Sequence, residues 1–268
     1  MKFSIIIPNY NSEKWIIKLL DSINRQTYQD YETIIVDDMS TDNSFNIIRK
    51  YIAENDLYNK FFPCVSREKK YNGGARNIGV KLAKGDYIMF ADCDDWFYSD
   101  KALEEISLAI DQNNYPDLVR LPYHAYSIKG ECDVKLHEES LEKMAHTVFV
   151  APWTKCIKRE LFVPFPENTL IEDIVQHIAQ IDKIETMAYC PVPVMVWNRA
   201  NEDAISADNR VYSRESKRYT SIYRNLADLL DLRVQKSYCE EERQKRIAIY
   251  LDIVHNSKED TIVRTGGV

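Results

Sequence analysis

From Phe3 to Asp95 the chain alternates between two hydrophobic periods, and this alternation limits its fold more than any other feature. Apolar runs of strand length occur at Phe3 to Ile7, Glu32 to Val36, Phe61 to Val65 and Tyr87 to Ala91. Between them lie stripes at helical spacing. Ile16, Leu19, Leu20 and Ile23 form the first, with Ser12 as its expected N-cap. Phe45, Ile48, Tyr51 and Ile52 form the second, behind Ser40 or Thr41. Asn72-Gly73-Gly74 opens the third, which carries Ala75, Ile78, Gly79 and Leu82 and closes at Gly85. Parallel strands need a crossover connection between them, so this repeat predicts an α/β fold: a mostly parallel central sheet with helices on both faces.

Beyond Asp95 the regularity fades. The pattern predicts a helix from Lys101 to Gln112, one strand from Leu118 to Tyr126, and a polar loop with a hairpin over 129–146. After an irregular stretch around Pro152, Trp153, Pro164 and Pro166 come a helix over Ile171 to Ile184 and strands at Met187 to Cys190 and Val194 to Trp197. From Val211 onward the sequence is helical and charged. The expected organisation is one domain over 1–205, divided into halves 1–97 and 98–205, with a C-terminal helical extension over 206–268.

Composition narrows the function. With 45% hydrophobic and 29% charged residues the chain reads as globular, and a net charge of −7 argues against nucleic acid as principal partner. Six scattered cysteines without metal spacing fit reduced thiols in the cytoplasm. The apolar N-terminal run is broken at Pro8-Asn9 and reads as a strand, and no stretch reaches the roughly 18 apolar residues of a membrane span. Arg210, Arg214, Lys217, Arg218 and Arg224 fit either a solvated helical face or peripheral contact with anionic lipid. Self-association stays open.

Three strand runs end in polar clusters: Pro8-Asn9-Tyr10-Asn11, Asp37-Asp38 and Asp92-Cys93-Asp94-Asp95. Neighbouring strand ends of a doubly wound sheet converge on one crevice. Crowded carboxylates need a cation or donors to neutralise them, and hard oxygens suit Mg²⁺ or Mn²⁺ shared with substrate phosphates. A nucleoside diphosphate satisfies this set, with its base near Tyr10 and Asp38, its ribose near Asp92 and its diphosphate on a cation at Asp94. Cys93 is the expected outward spacer between two inward carboxylates. Arg76, behind Gly73-Gly74, is placed to meet phosphates at a helix start. Simpler readings stand beside these. Tyr10 and Asn11 fit turn chemistry, and the acidic run fits a solvated turn. A phosphatase with a nucleophilic aspartate, a nucleotidyltransferase and a non-catalytic nucleotide-binding domain also use such a strand end. There is no G-x-G-x-x-G and no P-loop.

In this order, Ser4-Ile-Ile-Ile-Pro-Asn-Tyr-Asn11, Ser22-Ile-Asn-Arg-Gln-Thr27, Ile35-Val-Asp-Asp-Met-Ser-Thr-Asp42, Ala75-Arg-Asn77 and Asp92-Cys-Asp-Asp95 resemble glycosyltransferase family 2, inverting sugar transferases of the GT-A fold. The resemblance continues more weakly through Lys155 to Phe162 and Glu172-Asp173. It implies a metal-dependent transfer from a nucleotide-diphosphate sugar, UDP-linked by preference, to a carbohydrate, lipid-linked or protein acceptor, as in polysaccharide synthesis. Carried over by residue, it implies that Pro8, Tyr10 and Asp38 line the nucleotide-base pocket, with Asn11 and Arg76 as further candidate substrate-binding residues. Asp92 would hold ribose or sugar, and Asp94 the Mn²⁺ or Mg²⁺. Asp173 would be the catalytic base with Glu172 as its partner, and Trp153 would stack on the acceptor. For Glu172 and Asp173 the alternative is a helix N-terminus that favours acids, and for Trp153 it is the core. His177, four residues after Asp173, has the spacing to touch metal or acceptor, but its first reading is a packed or solvated helix position. Asn9 and Met39 depart from the family pattern, where Thr or Ser and Gly are common.

Overall fold

The computed structural model describes residues 2–127, 130–134, 151–165, 172–181 and 183–201. The expected extension over 206–268, and residues 129 and 135–146 of the expected loop, lie outside them. The first strands and helices follow the predicted alternation: β1 (Phe3–Asn9), α1 (Ile16–Asn24), β2 (Tyr31–Asp37), α2 (Ser44–Glu54), β3 (Phe61–Val65), α3 (Tyr71–Leu82) and β4 (Tyr87–Phe90). Then come β5 (Trp96–Phe97), α4 (Ala102–Gln112), β6 (Leu118–Arg120), β7 (Tyr123–Ser127) and β8 (Gly130–Val134). The last described elements are β9 (Lys155–Lys158), α5 (Glu172–Ile181), β10 (Met187–Tyr189) and β11 (Met195–Asn198).

Seven strands form the main sheet in the order β10-β6-β9-β4-β1-β2-β3. All its pairs are parallel except those of β9, which runs antiparallel between β4 and β6. Side chains alternate across the sheet with the period of the pleat. Phe3, Ile5, Ile7, Ile35 and Met89 face one core with α1, α2 and α4, while Ile6, Ile34, Val36, Ile88 and Phe90 face another with Ala75 of α3 and Ile181 of α5. Helices therefore cover both faces. Gly79 lets α3 approach β1 closely, since a methyl group there would collide with Ile6.

A second sheet of four strands has the order β5-β11-β7-β8. It corrects one expectation: Leu118 to Tyr126 is not one strand, because Leu121-Pro122 breaks it into β6 of the first sheet and β7 of the second. Proline lacks the amide hydrogen that a continuing ladder needs. The expected hairpin is β7 paired with β8. Two expected caps also fail. Ser12 Oγ donates to Asn9 Oδ1 instead of capping α1, which starts at Ile16, and α2 starts at Ser44 rather than behind Ser40 or Thr41. Likewise α3 ends at Leu82, before Gly85.

Candidate active site

The C-terminal ends of β1, β2 and β4 lie side by side in the sheet, so their three polar clusters meet as the sequence predicts. Asn9 sits at the centre, fully buried. Its amide donates to Asp37 Oδ1 at 2.6 Å and to Ser44 Oγ at 3.2 Å, and its Oδ1 accepts from Ser12. Sequence reading gave Asn9 no role beyond its departure from the family pattern. Asn11 serves the turn: its Oδ1 accepts the Thr41 amide at 2.8 Å, and its own amide donates to Ser40 Oγ at 3.0 Å. Asn11 and Met39 both take left-handed backbone, with φ of 49° and 62°. That conformation suits glycine and asparagine far better than methionine, which accounts for the glycine common at the position of Met39.

Asp38 is 2% exposed and already engaged. It accepts the Lys70 amide at 2.7 Å, the Tyr71 amide at 2.8 Å and Ser66 Oγ at 3.1 Å, with Lys69 Nζ at 3.6 Å. The carboxylate thus satisfies orphan amides at the start of α3 and anchors Lys69, whose ammonium lies over the exposed ring of Tyr10. Pro8 is buried in β1. Tyr10 and Lys69 together form a wall beside this strand end. Lys69 was missed because a lysine in Arg67-Glu68-Lys69-Lys70 reads as a solvated charge run.

The β4 end differs. Asp92 keeps 31% of its side chain exposed. Asp94 accepts from Asn201 Nδ2 at 2.7 Å, and Asp95, 2% exposed, accepts the Asn198 amide at 2.8 Å. Burial raises the Asp94 carboxyl above its ordinary range against the Asn201 hydrogen bond, and the charge of Asp92 adds to the rise. Burial, then Asp94 and Asp92, hold Asp95 well above that range. Cys93 corrects the outward-spacer reading: its thiol donates to the Pro8 carbonyl at 3.2 Å, locking β4 to β1, and burial pushes its pKa up. Neither Asn198 nor Asn201 carried any sequence signal.

Arg76 also departs from expectation. It does not present its charge to an open phosphate site. The residue is 2% exposed, and its side chain spans two carboxylates, Nη2 to Asp92 Oδ1 at 2.7 Å and Nη1 to Glu172 Oε1 at 2.8 Å. Its plane packs near the rings of Phe90 and Phe165, and its buried Nε has no hydrogen-bond partner among the described residues. Burial raises the Glu172 carboxyl to about 7, with Arg76 opposing and Asp173 adding to the rise. Because Glu172 and Asp173 open α5, this bridge brings Asp173 to the neighbourhood of Asp92. His177, one turn on, is buried with Nδ1 at 3.0 Å from Lys155 Nζ, which settles it as packed rather than solvated. Trp153 is 4% exposed, edge-on to Tyr123 at 5.1 Å, so in this structure it belongs to the core and presents no face for stacking on an acceptor.

The residues fit a divalent cation of the kind that takes most of its ligands from phosphate and water. No group of three or more potential ligands occurs among the described residues, yet burial raises both the Asp94 and Asp95 carboxyls above their ordinary range, a penalty on ionisation that a cation would relieve. Elsewhere, a cavity of about 400 Å³ lined by Lys2, Asp86, Lys158 and Arg159 sits at the opposite ends of the strands, away from these groups.

Comparison with known proteins agrees with this geometry. The family model "Glycosyl transferase family 2" matches residues 4–149, more than half of the chain. Poly(ribitol-phosphate) beta-N-acetylglucosaminyltransferase TarS of Staphylococcus aureus is 37% identical over 119 residues, 42% of this chain and 20% of that protein. The chain thus spans about a fifth of that relative's length. Among solved structures, S. aureus TarS 1-349 in complex with UDP-GlcNAc superposes with a TM-score of 0.69 at 21% identity, covering 94% of this chain and 72% of that one. The mannosyltransferase PcManGT of Pyrobaculum calidifontis, in complex with GDP-Man and Mn²⁺, gives 0.61 at 16%, covering 99% and 79%. The fold is GT-A.

Proposed function

We propose that this chain, which belongs to glycosyl transferase family 2, moves a sugar from a nucleotide-diphosphate donor, UDP-linked by preference, to an acceptor hydroxyl in cell-wall or polysaccharide synthesis. TarS, a structural neighbour, is named for a complex with UDP-GlcNAc. The single observation that carries the reading is the Arg76 bridge between Asp92 and Glu172. It joins the strand-end carboxylates of the donor half to the start of α5, where Asp173 stands as base. In this reading residues 1–97 grip the donor and 98–205 the acceptor. Family membership leaves the phosphatase and nucleotidyltransferase readings without support.

An acceptor hydroxyl is too weak an acid to attack unaided. Asp173 takes its proton as attack proceeds, a contribution of about 10²–10⁴-fold. Glu172, held by Arg76, fixes the helix start from which Asp173 acts. One base and one displacement invert the anomeric centre. Tyr10 and Lys69 orient the base of the donor, and Asp92 the ribose or sugar. A Mn²⁺ or Mg²⁺ held at Asp94 would supply positive charge to the departing diphosphate. Placement in the cytoplasm rests on the free thiols of Cys64, Cys93, Cys132, Cys156 and Cys190.

The test supplies UDP-GlcNAc, UDP-glucose and GDP-mannose with Mn²⁺ and follows nucleotide release. Asp173→Asn should cut turnover by about 10²-fold or more while calorimetric UDP affinity stays unchanged. Wild-type rates in that variant would overturn the base, and no turnover of any donor by the unaltered chain would leave a nucleotide-binding module instead.

A further inference from the structure

The four-stranded sheet has one face in the core and one turned away from it. Phe97, Met195, Tyr123 and Ala125 point into the core. Their neighbours along each strand, by the pleat, point outward: Trp96 on β5 and Tyr98 just after it, Val196 on β11, His124 and Tyr126 on β7. Val196 is 4% exposed because large side chains roof it from both sides. Tyr98 reaches His124 with ring centroids 5.2 Å apart, and Trp96 reaches Tyr126 at 5.8 Å. Lys18 of α1 places its ammonium 3.0 Å from the Trp96 ring centroid and fixes that pair. Yet Tyr98 remains 45% and Tyr126 36% exposed.

Exposed aromatic rings on a rigid sheet offer flat, polarisable surfaces to the C–H faces of a sugar, and the phenol tips supply hydrogen bonds. The belt crosses two strand spacings, about 10 Å, the length of roughly two sugar rings. It is continuous with the strand-end carboxylates: Trp96 follows Asp94 by two residues, and Asp95 accepts from Asn198 of β11. At its outer edge His124 is flanked by Asp133 at 2.7 Å and Glu131 at 3.3 Å. Two carboxylates flank the one imidazole at that edge, and the Lys18 ammonium on the belt is engaged by the Trp96 ring, so the charge pattern favours a neutral chain over a polyol phosphate.

We propose that the outer face of this sheet, with Tyr98 and Tyr126 as its stacking rings, binds a neutral saccharide of two or more units as the acceptor platform. This rests on the transferase reading above. The experiment titrates the full chain with chitotriose, maltotriose, mannotriose and, separately, poly(ribitol phosphate), reading tryptophan fluorescence. In parallel it measures donor hydrolysis and UDP affinity. A neutral trisaccharide should quench in the millimolar range, and the Tyr98→Ala/Tyr126→Ala double variant should weaken it by about tenfold with hydrolysis and UDP affinity unchanged. Tyr126→Phe, which keeps the ring, should retain most of the binding. The platform is overturned if the double variant binds as tightly as the unaltered chain, if no neutral saccharide quenches by about 10 mM, or if the polyol phosphate binds in preference. A dimer that the double variant abolishes would make the face a self-association surface, and that too overturns it. Saccharide binding without hydrolysis of any donor would sink the transferase reading and leave the platform standing.

Discussion

The ends of β2 and β4 each carry adjacent aspartates, and the fold treats the two pairs in opposite ways. Asp37 receives the Asn9 amide and the Ser40 amide and hydroxyl, and Asp38 receives two backbone amides, a serine and a lysine. Those carboxylates are neutralised by their own chain and hold turns together. At β4, Asp94 and Asp95 have an asparagine side chain and one backbone amide, and burial, with added repulsion from Asp92, drives both pKa values up. The lesson is that acidity at a strand end is not in itself a site. Unneutralised acidity is, because it is what a cation or a ligand's donors can relieve.

The sharpest way to break this contrast is to remove the cation that the β4 end does possess. Arg76→Met strands Asp92 and Glu172 without their buried partner and should cost about 3–5 kcal/mol in urea unfolding. A loss under 1 kcal/mol would show that the bridge stores little energy. Next, Asp94→Asn should lower donor turnover by about 10²-fold or more while leaving unfolding stability unchanged or higher, since it removes a carboxyl whose ionisation burial disfavours. Asp38→Asn should do the reverse: it turns an NH₂ toward backbone donors and should cost about 1.5–3 kcal/mol of stability. If Asp94→Asn destabilised and Asp38→Asn did not, the contrast between the strand ends would be wrong.

The smallest effect is on pH. Glu172 titrates at about 7 in the folded chain against an ordinary 4.5. Between those values the folded state keeps a proton that the unfolded state has released. Stability from this group is therefore complete below pH 4.5 and lost as pH rises through about 7. The urea midpoint should fall over that window, and Glu172→Gln should flatten the slope. An unchanged slope in the variant would mean that Glu172 is not the titrating group.

How far this was legible in the sequence depends on the range of the interaction. β1, β2 and β4 and the meeting of their ends were readable, because apolar runs of strand length and crossover spacing are local signals. Whether Ser12 caps a helix or serves Asn9 was not readable, since a hydroxyl after a strand can do either and tertiary contacts decide. Arg76 was found but misassigned: nothing near Gly73-Gly74-Ala75 shows that its partner lies 96 residues away at Glu172. The insertion of β9 between β4 and β6 leaves no local trace. Pro122, by contrast, did announce the break between β6 and β7, and an apolar run simply outweighed it. Asn201 is an ordinary loop residue until its amide is seen against Asp94.

The Arg76 bridge bears on how this protein can be recombined. On the proposed division near residue 97 its guanidinium falls in the donor half and Glu172 in the acceptor half, so a chimera joined there inherits a cation without a counterpart unless both positions travel together. Breeding new acceptor preferences onto this scaffold therefore calls for crossovers chosen by charge pairing rather than by loop position.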